Sequence, residues 1–315
     1  SCAVRCCGFE GENMTTIAII GAGLIGRSWA FVFARAGLPV RVWDADPAVL
    51  ERLASDIATM IHDAGGDPAI AGRISAFPTL AEALEGAGWV QENGPENAEI
   101  KRALFADLDR LAGPDAILAS SSSALMPSVW SQDLPGAARC LVAHPVNPPH
   151  LVPIVELCPS PATSAEAMDR AEALFRQVGQ VPARLTREID GFVLNRLQAV
   201  LLAESLKLVA DGVVSVQGLD DTIKHGLGRR WAFMGPLETI LLNAPGGVPD
   251  YIRRYGPMLA RLTDSAARGE AFTEAAGQIV AEAFPQTDIL ARQDWRDREL
   301  SALDAHLRAR SERTE

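Results

Sequence analysis

Short apolar runs alternate with helical patterns through the first half of the chain. Residues 16–20 read as a buried strand, 28–36 as a helix, 39–43 as a strand and 47–64 as a helix. A strand over 88–92, a helix over 98–111 and strands over 116–120, 138–143 and 151–157 follow. Strands alternating with helices predict βαβ units and a mainly parallel sheet. The character changes near residues 182–190. Beyond that point the pattern is helical, over 191–211, 218–226, 237–243, 249–268, 272–283 and 287–310, with Asp190 a candidate N-cap for the first of these. Gly235-Pro236 and Pro245-Gly246-Gly247 punctuate the rest. The expected organisation is a mixed α/β domain over 14–187 and an all-helical domain over 188–315.

Composition narrows the function classes. Of 315 residues, 48% are hydrophobic and 22% charged, which excludes wholesale disorder. No stretch approaches the roughly 18 uninterrupted apolar residues of a membrane span. A net charge of −11 is a poor field for gripping a phosphate backbone, so neither nucleic acid nor membrane is an expected partner. The five cysteines are Cys2, Cys6, Cys7, Cys140 and Cys158. They form no C-x-x-C pair and so lack zinc-ligand spacing; no metal is expected. Residues 1–13 read as a leader outside the fold or a remnant of expression, with a regulatory thiol cluster as the alternative. Without a disulfide framework or an export signal, the expected compartment is the cytoplasm.

Gly21-Ala-Gly23-Leu24-Ile25-Gly26 follows the first strand directly and opens a helix. The first glycine makes the tight turn, the second lets the backbone approach a pyrophosphate, and the third permits close helix–strand packing. Alone the G-x-G-x-x-G pattern is weak. Here a strand precedes it, a helix follows it, and Asp44 ends the next strand where a carboxylate meets an adenosine ribose diol. These residues predict a Rossmann-type, doubly wound domain and NAD as cofactor, since a carboxylate at Asp44 repels a 2′-phosphate. The competing role for Asp44 is a helix cap at Pro47, which Asp46 fills better.

Arg139-Cys-Leu-Val-Ala-His144-Pro-Val-Asn147 places a histidine at the end of an apolar strand, where open sheets bind ligands. Twelve residues later Glu156 interrupts the apolar run 151–157. A carboxylate there is costly to bury unless paired, and His144 is its obvious partner if the two strands are neighbours. Such a pair would fix the imidazole tautomer and serve as a general base for alcohol oxidation. The alternative is an edge-strand Glu facing water. The run Ser120–Ser123 offers four hydroxyls that could bond a substrate oxygen or satisfy loop backbone. No G-x-S-x-G elbow surrounds them, so a serine hydrolase is not indicated.

The glycine loop, Asp44, Glu96–Lys101, the serine run, His144-x-x-Asn147, Glu156, Gly191-Phe-Val-Leu-Asn195-Arg196 and Gly235-Pro-Leu-Glu238 occur in that order. Together they resemble the 3-hydroxyacyl-CoA dehydrogenase family over essentially everything after Met14. Ser-Ser-Ala-Leu-Met-Pro127, Ala143-His-Pro-Val-Asn-Pro-Pro149, Gly226-Leu-Gly-Arg-Arg230-Trp-Ala-Phe and Gln293-Asp-Trp-Arg-Asp297 are most similar to its lambda-crystallin branch, which has L-gulonate 3-dehydrogenase activity. The resemblance implies His144 as general base, Glu156 as its partner, Ser123 as a bond to the reacting oxygen and Asn195 as a positioner of substrate and imidazole. It also implies Glu96, Lys101 and Asn147 around the cofactor, together with the glycine loop (Leu24 and Ile25 included) and Asp44. Without the resemblance, Glu96 and Lys101 read as an exposed helix-start acid and a surface lysine. The implied reaction is oxidation of a secondary alcohol at C3 to a ketone.

The sequence leaves the substrate between a free 3-hydroxy acid and a CoA thioester. Only three lysines occur (Lys101, Lys207 and Lys224), and the segment 47–74, where a CoA-binding hairpin would lie in this family, is mostly acidic and neutral. Arg229-Arg230 could clamp a small carboxylate through a bidentate fork, or be a solvated helix end. Ser121 and Ala124 depart from the Asn and Ser usual in the acyl-CoA pattern. The expectation is an L-gulonate-like 3-hydroxy acid bound in part by Arg230, in a cleft between the domains. The alternatives are an acyl-CoA substrate and a non-catalytic, crystallin-like NAD-binding protein. Apolar stripes in the helical half, with the resemblance, predict a homodimer.

Overall fold

The structure is a computed structural model and describes residues 15–232, 234–264 and 289–311. The first part runs β1 (Thr16–Ile20), α1 (Leu24–Arg35), β2 (Val40–Trp43), α2 (Pro47–Asp63), β3 (Ile74–Ala76), α3 (Leu80–Leu84), β4 (Ala87–Glu92), α4 (Ala98–Leu111), β5 (Ile117–Ser120) and α5 (Ser128–Ser131). It continues with β6 (Cys140–Pro145), β7 (Ile154–Pro159), α6 (Ala165–Gln177) and β8 (Val181–Arg184). The eight strands form one sheet in the order β3-β2-β1-β4-β5-β6-β7-β8. Neighbours are parallel except β6 and β7, which pair antiparallel. Strand order reverses between β1 and β4, and open α/β sheets bind ligands at such a switch point.

The continuous apolar run of β1 follows from burial on both faces. Ile17 and Ile19 join Trp29, Phe33, Trp89 and Phe175 in one core, while Ala18 and Ile20 join Val90, Phe105, Trp130 and Phe192 in another. Successive strand residues point to opposite faces, so helices must cover both. Helix starts carry their caps: the Asp46 side chain accepts from the Ala48 amide ahead of α2, and Asn97 accepts from Glu99 and Ile100 ahead of α4.

The sheet has two strands beyond those the apolar pattern predicts. β3 is three residues long, and β8 carries Pro182, a residue tolerated in strands at a sheet edge. The helix expected from residue 191 is α7 (Leu194–Ala210), which starts three residues later. Gly191 (φ +71°) and Phe192 (φ +48°) adopt left-handed backbone, which breaks the helical path before Leu194.

α8 (Val216–Thr222) passes through a π-helical turn, Ile223–Leu227, into α9 (Gly228–Trp231); α10 (Pro236–Leu242), α11 (Gly247–Asp264) and α12 (Ile289–Ser311) follow. The predicted helix over 272–283 and the segment 1–13 lie outside the described residues. Contacts divide the chain into two compact units, one running to Val193 with the segment from Gln293 onward, the other Leu194–Arg292. No helix among the described residues is long and apolar enough to cross a membrane.

Candidate functional site

Four features converge at the carboxyl end of the sheet: the glycine loop, Asp44, the serine loop and a histidine–glutamate pair. The glycine loop follows β1. Gly21 has φ +91°, a conformation that favours glycine, and a Cβ on Gly26 would stand 1.8 Å from the Gly21 carbonyl oxygen. α1 can therefore approach the loop only because residue 26 has no side chain. At Gly23 a Cβ would meet nothing within 4 Å, which leaves its backbone open on the outer side. The Ala22 amide donates to Asp44 Oδ2 at 2.7 Å, and the Asp46 amide to Oδ1 at 2.9 Å. Asp44 thus stands beside the loop, while Asp46 caps α2. An open glycine, a helix N-terminus and a fixed carboxylate at the neighbouring strand end fit a dinucleotide.

The serine run divides by exposure. Ser120 Oγ, fully buried, donates to Glu92 Oε2 at 2.7 Å. Ser121 Oγ receives the Trp29 indole N–H (3.1 Å) and the Gln91 amide (2.7 Å) and donates to Asn93 Oδ1 (2.8 Å). Ser122 Oγ donates to Glu96 and accepts from the Leu125 amide. Ser123 alone of the four is exposed. The hydroxyls of Ser120, Ser121 and Ser122 hold the loop together.

Glu96 is the exposed acid that the sequence alone suggests, but Lys101 is not a surface lysine. The Glu96 carboxylate folds onto the loop, accepting from the amides of Ser123 (3.3 Å), Ala124 (3.2 Å) and Leu125 (3.0 Å). Burial raises its pKa, but the bonds from Ser122, Leu125 and Ala124 and the charge of Lys101 outweigh it, and the net shift is downward. Lys101 is 1% exposed, its Nζ 2.9 and 2.7 Å from the two oxygens of Glu92. The physical reason is that the second turn of α4 faces the core beside the end of β4, where a buried carboxylate requires a counter-ion.

His144 and Glu156 sit directly opposite in the antiparallel register of β6 and β7. Both are buried, and His144 Nδ1 lies 2.9 Å from Glu156 Oε2. An ionised carboxylate only accepts, so Nδ1 carries the proton, and in the neutral imidazole Nε2 keeps its lone pair. The second oxygen, Oε1, accepts the Val193 amide at 2.8 Å. Phe192, wholly buried, lies against the imidazole with ring centroids 5.4 Å apart. The left-handed turn before α7 thus braces the pair from a third segment.

Sequence reasoning missed Glu92, Phe192 and the Val193 amide. A carboxylate ending an apolar strand was available as a signal for Glu92, as it was for Glu156. Nothing in the sequence marks a backbone amide. Asn147 is exposed on the turn after β6, next to a cis bond to Pro148. Asn195, second residue of α7, and the exposed Arg230, on α9, belong to the second compact unit. The first-unit site therefore gathers Gly21–Gly26, Asp44, Glu96, Ser123, His144 and Glu156.

A family described as 3-hydroxyacyl-CoA dehydrogenase, NAD binding domain, matches residues 16–189, and the C-terminal domain of the same family matches 191–282. The chain is 45% identical over 296 residues to a lambda-crystallin homolog of Bos taurus, covering 89% of this chain and 92% of that one. It is 38% identical over 256 residues to a 3-hydroxyacyl-CoA dehydrogenase of Gibberella moniliformis, covering 79% of each. Among solved structures it resembles 5-formyl-3-hydroxy-2-methylpyridine 4-carboxylic acid 5-dehydrogenase, an NAD-dependent dismutase. That likeness has a TM-score of 0.80 at 27% identity and covers 94% of this chain and 99% of that one.

Proposed function

The chain belongs to the 3-hydroxyacyl-CoA dehydrogenase family, whose cofactor is NAD, and on that premise we propose that it oxidises the 3-hydroxyl of a small, free L-3-hydroxy acid of the L-gulonate kind. The observation that carries the reading is the buried His144–Glu156 pair, in which Nδ1 faces the carboxylate and leaves Nε2 of the neutral imidazole to act as the base. His144 Nε2 takes the hydroxyl proton, and the imidazolium that forms is stabilised by Glu156. Ser123 bonds the reacting oxygen, and Asn195 positions the substrate. The glycine loop Gly21–Gly26, with Leu24 and Ile25, holds the pyrophosphate; Asp44 takes the adenosine ribose, and Glu96 and Asn147 border the nicotinamide half. Bound NAD supplies the acceptor for the hydride leaving C3.

A free acid is favoured over a thioester by the poverty in lysine and by the character of α2. Its seventeen residues carry no lysine and its first turn opens as Pro-Ala-Val-Leu, a weak surface for a polyanionic tail. The dismutase that the chain resembles acts on a small carboxylic acid by its name, which points the same way. Arg230 then serves as the carboxylate clamp. The 3-hydroxyacyl-CoA dehydrogenase of Gibberella keeps the thioester as the second reading. Exposed apolar side chains on α7 and α10 support a homodimer through the helical half.

The test is NADH formation on the purified protein with NAD and either L-gulonate or L-3-hydroxybutyryl-CoA. A higher kcat/KM for gulonate is the expected result. A higher value for the thioester would replace this reading with the second. Measurable NAD binding with turnover of neither substrate would point to another small 3-hydroxy acid before a non-catalytic, crystallin-like role.

A further inference from the structure

One face of α12 plays no part in the proton transfer. The helix begins at Ile289, beyond residue 282, where the match to the family's C-terminal domain ends. From Gln293 onward it belongs to the first compact unit. Asp294, Asp297, Arg298 and Ser301, spaced as one helical face, line a cavity of about 730 Å³ in that unit. Asp297 and Ser301 are half-buried there. Leu24 of the glycine loop lines the same cavity, as do His150 and Leu151 on the turn that leaves the His144 strand. The cavity thus borders both the dinucleotide loop and the segment that carries the base. A group trailing from the substrate on the side of α1 and α2 would enter it.

Size does not close this cavity to a large group, since pockets of about 300–1,000 Å³ take drug-sized ligands. Charge is what discriminates. Among the described residues that line it, four carry carboxylates (Asp56, Asp63, Asp294 and Asp297) and two carry guanidiniums (Arg27 and Arg298). Arg27 is already ion-paired to Asp56. His150 adds no positive charge near neutral pH, because burial and then the charge of Arg35 bring its pKa down to about 4, against an upward pull from Asp297. A cleft with one dominant sign focuses its field and repels like charge. The tail of a CoA thioester carries a diphosphate and a ribose phosphate, ionised near neutral pH, and a small free acid has no such tail. We propose that the acidic face of α12 selects the substrate class: Asp294 and Asp297 repel the polyanionic tail of a CoA thioester from this cavity and leave turnover of a small free acid untouched. Specificity of this kind comes from a repulsive element set against the wrong substrate, away from the reacting atoms. The inference deepens the free-acid reading and rests on it.

The test is the affinity of CoA itself for the NAD-saturated protein, by calorimetry at low salt. Two variants are compared with the unsubstituted chain: Asp294→Asn with Asp297→Asn, and Asp294→Lys with Asp297→Lys. CoA should bind about 10-fold more tightly to the first and about 100-fold more tightly to the second, and both gains should shrink as salt is added. The kcat/KM for L-3-hydroxybutyryl-CoA should rise in the same order, while that for L-gulonate stays near its original value. CoA affinity that does not change in either variant, undetectable binding throughout included, would overturn the proposal. An equal rise in kcat/KM for gulonate would overturn it too, because the acids would then not discriminate. Should a double variant fail to fold, Asp294→Lys alone, at an exposed position, decides by the same CoA titration. Absence of gulonate turnover in the unsubstituted protein would remove the functional reading alone, since the titration needs no turnover.

Discussion

At the carboxyl ends of β4, β5 and β6 even the carboxylates are buried and paired, whereas along α7 and α10 aliphatic side chains stand exposed. Glu92, Lys101, Ser120, Ser122, His144 and Glu156 each have named partners inside the first unit. Leu197 is 65% exposed, Val200 64%, Leu237 74% and Leu242 66%. Buried polar groups are expensive unless bonded, and exposed apolar groups forgo the benefit of burial. At these strand ends the first unit bonds its buried polar groups to a degree that preorganises a site. The second leaves apolar surface for something else to cover, and a second copy of the chain is the occupant proposed above.

The largest effect should come from breaking that proposed cover. Burying one leucine side chain is worth about 1.5–3 kcal/mol, and a twofold interface counts it twice. Leu197→Asp should therefore weaken dimerisation by about 10²–10⁴-fold, seen by size exclusion with light scattering. A dilute monomer for the unsubstituted protein would break the comparison outright, because the exposed aliphatics would then need no partner.

A smaller effect sharpens the other side of the comparison. His150 follows the turn after β6, and its pKa falls from 6.5 to about 4, chiefly through burial and then through the charge of Arg35, against an upward pull from Asp297. Above 6.5 the group is neutral in both folded and unfolded protein. Between 6.5 and 4 the unfolded chain takes up a proton that the folded protein refuses, so stability falls as pH drops through that window. The loss should reach at most about 3 kcal/mol. His150→Gln should flatten the slope of Tm against pH over that range; an unchanged slope would mean the imidazole is protonated in place.

Much of the first unit was legible in the sequence because its signals are local. Asp46 before Pro47 and Asn97 before Ala98 mark helix starts, and both side chains cap as their chemistry suggests. The strand through His144 and the one through Glu156 could each be read, and the structure sets them opposite one another. What escaped was tertiary. β8 hid behind Pro182, an edge position that no local pattern reveals. The start of α7 slipped by three residues because the left-handed Phe192 is dictated by packing against His144 rather than by its own preference. Lys101 reads as a surface lysine until β4 brings Glu92 beneath it. The role of Asn195 rests on resemblance, and that of Arg230 on the fit of a guanidinium to a carboxylate.

The central claim is that His144, held by Glu156, is the base that accepts the substrate proton while taking no part in holding the dinucleotide. The most direct measurement is turnover and NAD affinity, side by side, in His144→Ala. General-base catalysis contributes about 10²–10⁴-fold, so kcat should fall by at least that much while the NAD dissociation constant stays near its original value. Full retained turnover in that variant would contradict the account.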